Sequence, residues 1–293
     1  MQNKTSLWII GANDGVGKTT LSVAMTDILE LAGRSLRLVE VNSWRGLSRF
    51  MGDENVSSFE SVLSLVKIRK DPNAILHQYD AVISEIEKGD SLLHFDAKAT
   101  FHLFEYLKIS GVDKDFSDMG VQVIVLIPAV ADGHSIGGAL ALIDTASAII
   151  PSARLVLVLN EYRGQNFGAD FEMARFSLRA RGISVMNMPQ IMPEGWGDFQ
   201  RNGNRFKSII SMDLAHMREL HGYSRPLARR VHDDIFSWFE KMTVEVSNLP
   251  LVGLDQARRI PSRRAFSIYS RMLLSASKWR LLSMPRLNRP RKR

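Results

Sequence analysis

Residues 11–20 read GANDGVGKTT. Before them stands Leu7-Trp8-Ile9-Ile10, a short continuous apolar run of the kind a strand buried on both faces requires. After them Leu21, Ala24, Met25, Ile28 and Leu29 recur at helical spacing, and Gly33 is placed to end that helix. Strand, glycine-rich turn and helix, with Gly-Lys-Thr at the junction, form a cradle for a phosphate chain. Gly15 and Gly17 let backbone N–H groups turn inward where a Cβ would crowd the phosphates. The helix start adds the positive end of its dipole. Lys18 can reach β- and γ-phosphate oxygens, and the Thr19 hydroxyl can hold Mg²⁺.

Further strands and helices alternate along the chain. Apolar runs predict strands at Ser35–Val41, Ser91–Phe95, Val121–Ala129, Arg154–Leu159 and Ile183–Met188. Helical patterns fall at 74–86, 101–109, 137–150 and 168–181, with a mixed helical region carrying Phe59, Val62, Leu63 and Val66 on one face. This order predicts an α/β fold: a mostly parallel, doubly wound sheet flanked by helices. Ligands bind such sheets at the C-terminal strand ends. Asn13, Asn42, Asp96, Asp132 and Asn160 all fall just after predicted strands. After Met188, residues 189–206 read as a loop rich in Pro, Gly and Asn. Two amphipathic helices follow, one carrying Phe206, Ile209, Ile210, Leu214 and Met217, the other Leu227, Val231, Ile235, Trp238 and Met242. The expected organisation is a phosphate-binding domain over 1–246, with these helices as its C-terminal extension. A linker and basic amphipathic tail occupy 247–293.

The 293 residues contain no cysteine, which excludes disulfides and cysteine–metal sites and fits a reducing cytoplasm. No uncharged apolar run approaches the ~20 residues of a membrane span. MQNKTSLWII runs straight into the first strand, so no signal peptide is expected. The histidines show no metal-ligand spacing, and Gly133-His134-Ser135 lacks the nucleophile context of a serine hydrolase. The net charge of +7 is uneven: residues 255–293 hold twelve Lys/Arg and one Asp, whereas 1–254 hold 26 basic and 30 acidic residues. A tail of +11 on a body of −4 implies an anionic partner.

Read as N-D-G-V-G-K-T-T, residues 13–20 resemble the deviant P-loop K-G-G-x-G-K-T/S of the ParA/MinD family of ATPases. Asn13 stands where that family has its signature lysine, and Asp14 where it has the first glycine of the pair. The likeness extends in order and spacing over about residues 5–190. It implies a P-loop NTPase fold, ATP and Mg²⁺ as cofactors, and a nucleotide-dependent homodimer. LVEVNSWRGLSRFMG looks like the family's aspartate-x-aspartate stretch, with Glu40 and Asn42 at the two acidic positions. An asparagine can orient a water but cannot take its proton. LLHFDAKA matches the Walker B strand, so Asp96 is implied, with Thr19, in holding Mg²⁺. The family continues with proline after that aspartate, whereas Ala97-Lys98-Ala99 stands here. RLVLVLN matches the strand ending in an adenine-reading asparagine, here Asn160, and Met188–Gln190 sits where a second purine-contacting loop is found. By this resemblance Asn13, Asp14, Gly15, Val16, Gly17, Lys18, Thr19, Thr20 and Asn160 bind nucleotide, and Lys18, Asn42 and Asp96 carry catalysis.

Asn13, Asp14 and Asn42 lean away from fast hydrolysis, leaving open a slow ATPase, a switch with negligible turnover and a degenerate binder. A narrower likeness, to ParA-like proteins of conjugative plasmids, implies plasmid partition or conjugative DNA transfer. The tail mixes Phe266, Tyr269, Met272, Leu273, Trp279 and Leu281 with arginines. It suits DNA or a DNA-bound partner, an anionic membrane in the manner of a MinD-type spatial regulator, or the protein's own body. A non-catalytic adaptor on the same scaffold is the remaining alternative.

Overall fold

Leu7 and Ile9 face one side of their strand and Trp8 and Ile10 the other, and all four are fully buried. A strand apolar on both faces needs helices on both sides, and that requirement organises the molecule. The computed structural model describes residues 5–61, 71, 73–162, 169–191 and 193–249. The sheet comprises β1 (Ser6–Ile10), β2 (Arg37–Val41), β3 (Val56–Phe59), β4 (Ser91–Phe95), β5 (Gln122–Val130), β6 (Arg154–Asn160) and β7 (Ser184–Met188). Its order is β3-β2-β4-β1-β5-β6-β7, and every neighbouring pair is parallel. β1 lies between β4 (Leu7 opposite Ser91) and β5 (Ser6 opposite Gln122). From β1 the chain crosses to one side and later to the other, which opens a crevice at the C-terminal end of β1.

Helices α1 (Lys18–Leu31), α2 (Ser48–Met51), α3 (Ala74–Ile86), α4 (Ala97–Ser110), α5 (Val112–Asp118), α6 (Gly133–Ile149) and α7 (Ala169–Ala180) interleave with the strands. After β7 come α8 (Pro193–Arg201), α9 (Phe206–Ser211), α10 (Leu214–His221) and α11 (Arg225–Ser247). One sheet face carries Trp8, Ile10, Leu92 and Leu126 against α1, α2 and α8–α11. The other carries Leu7, Ile9, Leu93 and Val125 against α3–α7. The α/β architecture expected from the sequence is therefore present, all-parallel rather than mostly so, with α8–α11 as the C-terminal helical extension. No helix among the described residues is long and apolar enough to cross a membrane.

Several local expectations are corrected. Residues 56–59 form an edge strand where the sequence suggested helix from Phe59; Val62, Leu63 and Val66 lie outside the described residues. Serines at 57 and 58, partly to fully exposed on this edge, broke the apolar signal. The stretch 189–206 contains α8, whose Trp196 and Phe199 are buried despite its glycines. The expected helix from Phe206 to Met217 is two helices, because Asp213 accepts the Nα–H of His216 at 2.8 Å and caps a new start. The linker and tail lie outside the described residues from 250 onward.

Candidate functional site

Gly17 opens α1 in the left-handed conformation, φ +91°, and no side chain among the described residues caps the helix. α4 and α6, by contrast, close their first turns with Asp96 and Asp132. The α1 N-terminus thus presents uncapped donors, which suit an anion. Gly15 is also left-handed, φ +76°, and a Cβ there would meet nothing within 4 Å. A Cβ at Gly17 would lie 2.6 Å from Asn160 Nδ2 and 2.9 Å from Met188 Cε. The loop is therefore open on one side and fastened on the other. Val16 fastens it twice: its side chain is buried in the core, and its carbonyl accepts Asn160 Nδ2–H at 3.0 Å.

Two cavities meet across this helix start, sharing Gly15, Gly17, Thr20 and Gln200. The first, about 550 Å³, is lined by Asp14, Lys18, Thr19, Asn42, Asp96 and Lys98, among others. The second, about 520 Å³, is lined by Asn160, Tyr162, Met188, Pro189, Gln190 and the indoles of Trp196 and Trp238. One lobe is polar and charged and the other largely apolar and aromatic. A phosphate chain and a heterocyclic base have the same division.

In the polar lobe the Lys18 ammonium donates to Ala12 O at 3.1 Å, Asn13 O at 2.6 Å and Asp14 Oδ1 at 3.1 Å. Burial lowers its pKa, and the bond and charge of Asp14, with the charge of Asp96, counter that shift. Asp96 uses Oδ1 to cap α4 through Ala99 N at 2.8 Å and turns Oδ2 toward Ser43 N at 3.4 Å. The Thr19 hydroxyl faces Gly46, 3.2 Å from where a Cβ would lie, and has no hydrogen-bond partner among the described residues. A hydroxyl and a carboxylate are hard oxygen donors. They fit Mg²⁺, which keeps several waters and takes one or two carboxylates plus phosphate oxygens. No cluster of three or more His, Asp or Glu suited to a metal occurs among the described residues.

Glu40 lies fully buried behind the lobe. It accepts from Leu47 N at 2.7 Å, Ser48 N at 3.2 Å and Ser48 Oγ at 2.9 Å, and so shapes the loop that follows β2. Asn42 accepts Trp44 N–H at 3.1 Å and turns its Nδ2 toward Glu40 Oε1 and His94 Nε2, each at 3.5 Å. His94 is one of the lining residues that the sequence reading did not place at the site. Ser22 Oγ gives its proton to Lys18 O at 3.0 Å, so at 2.9 Å it accepts from His94 Nδ1–H, which leaves Nε2 as an acceptor toward Asn42. Burial, reinforced by Lys18 and opposed by Asp96, pushes the His94 pKa down to about 3, so the ring is neutral. The one available signal was its place two residues before Asp96, hence on the same strand face.

Of the residues expected at the site, Asp14, Gly15, Gly17, Lys18, Thr19, Thr20, Asn42, Asp96 and Asn160 line one lobe or the other. Val16 supports the loop from the core. Asn13 lines neither cavity; its amide packs on Gly138 of α6, where an added Cβ would meet Nδ2 at 2.3 Å. Trp44 (88% exposed) and Gln200 join the site without having been expected there.

No family model matches the sequence, and no curated protein matches it. Among solved structures, MinD cell division protein from Aquifex aeolicus is 14% identical, with 84% of this chain and 99% of that chain covered and a TM-score of 0.41. A candidate plasmid partition protein from Borrelia burgdorferi B31 bound to AMPPNP is 12% identical, with 82% and 100% covered and a TM-score of 0.44. A further plasmid partition protein from Borrelia burgdorferi is 11% identical, with 69% and 96% covered and a TM-score of 0.42.

Proposed function

We propose that this chain is a nucleotide-dependent switch of ParA/MinD type that binds MgATP, with slow or negligible hydrolysis. The observation that carries this reading is the pair of cavities meeting at the uncapped N-terminus of α1, one holding Lys18, Thr19 and Asp96, the other Asn160 and two indoles. The Gly15 and Gly17 backbone leaves room for a phosphate chain against free N–H groups. In this reading Lys18 and the α1 N-terminus hold phosphate oxygens, Thr19 and Asp96 hold Mg²⁺ and its waters, and Asn160 sits beside the base. The bound Mg²⁺ would supply positive charge to the terminal phosphate oxygens.

The chain's own residues argue for slow turnover. Asn42 has no carboxylate to accept a proton from water, and its amide is engaged by Trp44 and the Glu40–His94 pair. His94 is a neutral, buried ring whose two nitrogens already face Ser22 and Asn42, so it does not stand in for that carboxylate. The finer role is plasmid partition or conjugative DNA transfer in the cytoplasm, by a nucleotide-dependent homodimer whose tail meets DNA or a DNA-bound partner. The +11 charge of residues 255–293 supports that assignment. Calorimetry tests the binding step: MgATP binds the wild type, and Lys18→Ala abolishes the heat. Equal binding by the two proteins overturns the reading.

A further inference from the structure

The Lys18 ammonium has three hydrogens, and its own loop takes all three. Two go to the backbone carbonyls of Ala12 and Asn13, and the third to the Asp14 carboxylate at 3.1 Å. Of these acceptors only Asp14 is a side chain free to leave: it is 80% exposed, whereas Lys18 is 8% exposed. A carboxylate oxygen therefore stands at Lys18 in the manner of a phosphate oxygen. Among the described residues, the charged side chains lining this lobe are Asp14 and Asp96 against Lys18 and Lys98, which cancel. Asn13 adds nothing, since its side chain is uncharged and packs on Gly138. A pocket that takes a free polyanion gains from excess positive side chains; the described side chains here supply no excess, which leaves the α1 N-terminus as the positive element.

We infer that Asp14 is a specificity-determining residue that restricts the lobe to a nucleoside triphosphate already complexed with a divalent cation. The inference rests on the nucleotide reading above. Asp14 repels a free polyphosphate and competes with it for Lys18. A metal-neutralised phosphate meets less of that repulsion and can displace the carboxylate into solvent, where its exposure allows it to go. The same contact keeps Lys18 paired until such a ligand arrives, which limits occupancy by inorganic phosphate or other small anions.

The test is isothermal calorimetry on the full chain and on Asp14→Asn, with MgATP and with ATP in excess EDTA. Wild type binds MgATP and takes metal-free ATP far more weakly. Part of that preference belongs to Thr19 and Asp96, so the decisive readout is the ratio of the two affinities. Asp14→Asn narrows that ratio by roughly tenfold or more, mainly by gaining affinity for free ATP, as expected when a charged hydrogen-bond competitor is removed. An unchanged ratio overturns the inference. A loss of MgATP binding in Asp14→Asn also overturns it, by placing Asp14 among the metal's supports. Absence of MgATP binding in the wild type sinks the nucleotide reading itself, a result distinct from both. Because Asp14 is exposed, a thermal melt of the variant is expected to overlay the wild type and rules out misfolding.

Discussion

Gly17 lies at the helix start and is one of four residues that line both lobes. Its left-handed backbone costs an L-residue about 1–2 kcal/mol, and a methyl group there would also press on Asn160 and Met188. Gly17→Ala is expected to lower the melting temperature by several degrees, at roughly 2–4 °C per kcal/mol for a domain of this size. It also breaks the bond from Asn160 to Val16 O, so base binding weakens with it; an unshifted melt would show that the loop yields freely. His94 gives the second residue-scale prediction. Its pKa is about 3 in the folded protein against 6.5 for a free imidazole, because the buried ring cannot be charged beside Lys18. As pH falls below 6.5 the unfolded chain takes up a proton that the folded chain refuses. Stability is therefore present above pH 6.5 and is lost toward pH 3, by up to about 1.4 kcal/mol per pH unit. Urea melts of metal-free, nucleotide-free protein at pH 7.5 and 5 measure that loss. His94→Gln is expected to remove this part of the slope, and the prediction fails if the two slopes coincide.

Asp27 lies fully buried on α1, two turns beyond the phosphate loop, and binds α1 to the C-terminal extension. It accepts Arg205 Nε–H at 2.8 Å, Arg205 Nη2–H at 2.6 Å and Lys207 N–H at 3.0 Å. Arg205 also reaches Glu30 at 2.7 Å. Burial pushes the Asp27 carboxyl up, and Arg205 and Lys207 oppose it. Removing one partner of a buried pair leaves an uncompensated charge, so Arg205→Met is expected to cost about 3–5 kcal/mol. The double variant with Asp27→Leu is expected to recover much of that loss in chemical denaturation. A double variant as unstable as the single one would place the cost in packing. The linkage bears on the site because Gln200, at the end of α8 and five residues before Arg205, lines both lobes.

These elements also show what the sequence could and could not reveal. β1, β4, β5 and β6 are buried on both faces, so their apolar runs are continuous and legible. Among the described strands β3 pairs with β2 alone, and it exposes its serines, so its signal was lost. α8 hid behind Pro193, Gly195 and Gly197, because Trp196 and Phe199 are buried by tertiary packing that no local pattern reports. In the site, the loop and Asp96 are consecutive motifs and were legible. The Ser22–His94–Asn42–Glu40 network was not, because it exists only once β2 and β4 are neighbours and α1 lies across them. The Asp14–Lys18 contact depends on how the loop turns, which residue types alone do not specify.

At the scale of the whole molecule, charge is divided between two parts of one chain. Residues 1–254 carry a net −4 and residues 255–293 a net +11, so the overall +7 belongs to the tail. The body's seven strands and two apolar layers lie wholly within the described residues up to 249. A chain ending at 249 keeps that core and is mildly acidic. If the tail meets nucleic acid through its arginines, each phosphate contact releases counterions, and log affinity falls linearly with log salt at about −0.9 per contact. Twelve basic residues allow several such contacts. The full chain is then expected to be retained on duplex DNA at 50 mM salt and to lose about 10³-fold or more in affinity by 200 mM. The 1–249 chain is expected to show no retention at either salt. Sedimentation with anionic vesicles is the paired measurement. A full chain that pellets with vesicles and ignores DNA would move the tail's partner from nucleic acid to a membrane surface, with the nucleotide site unchanged. Retention of the 1–249 chain on DNA would instead place the contact on the acidic body, against its charge, and so on a local basic face rather than on the tail.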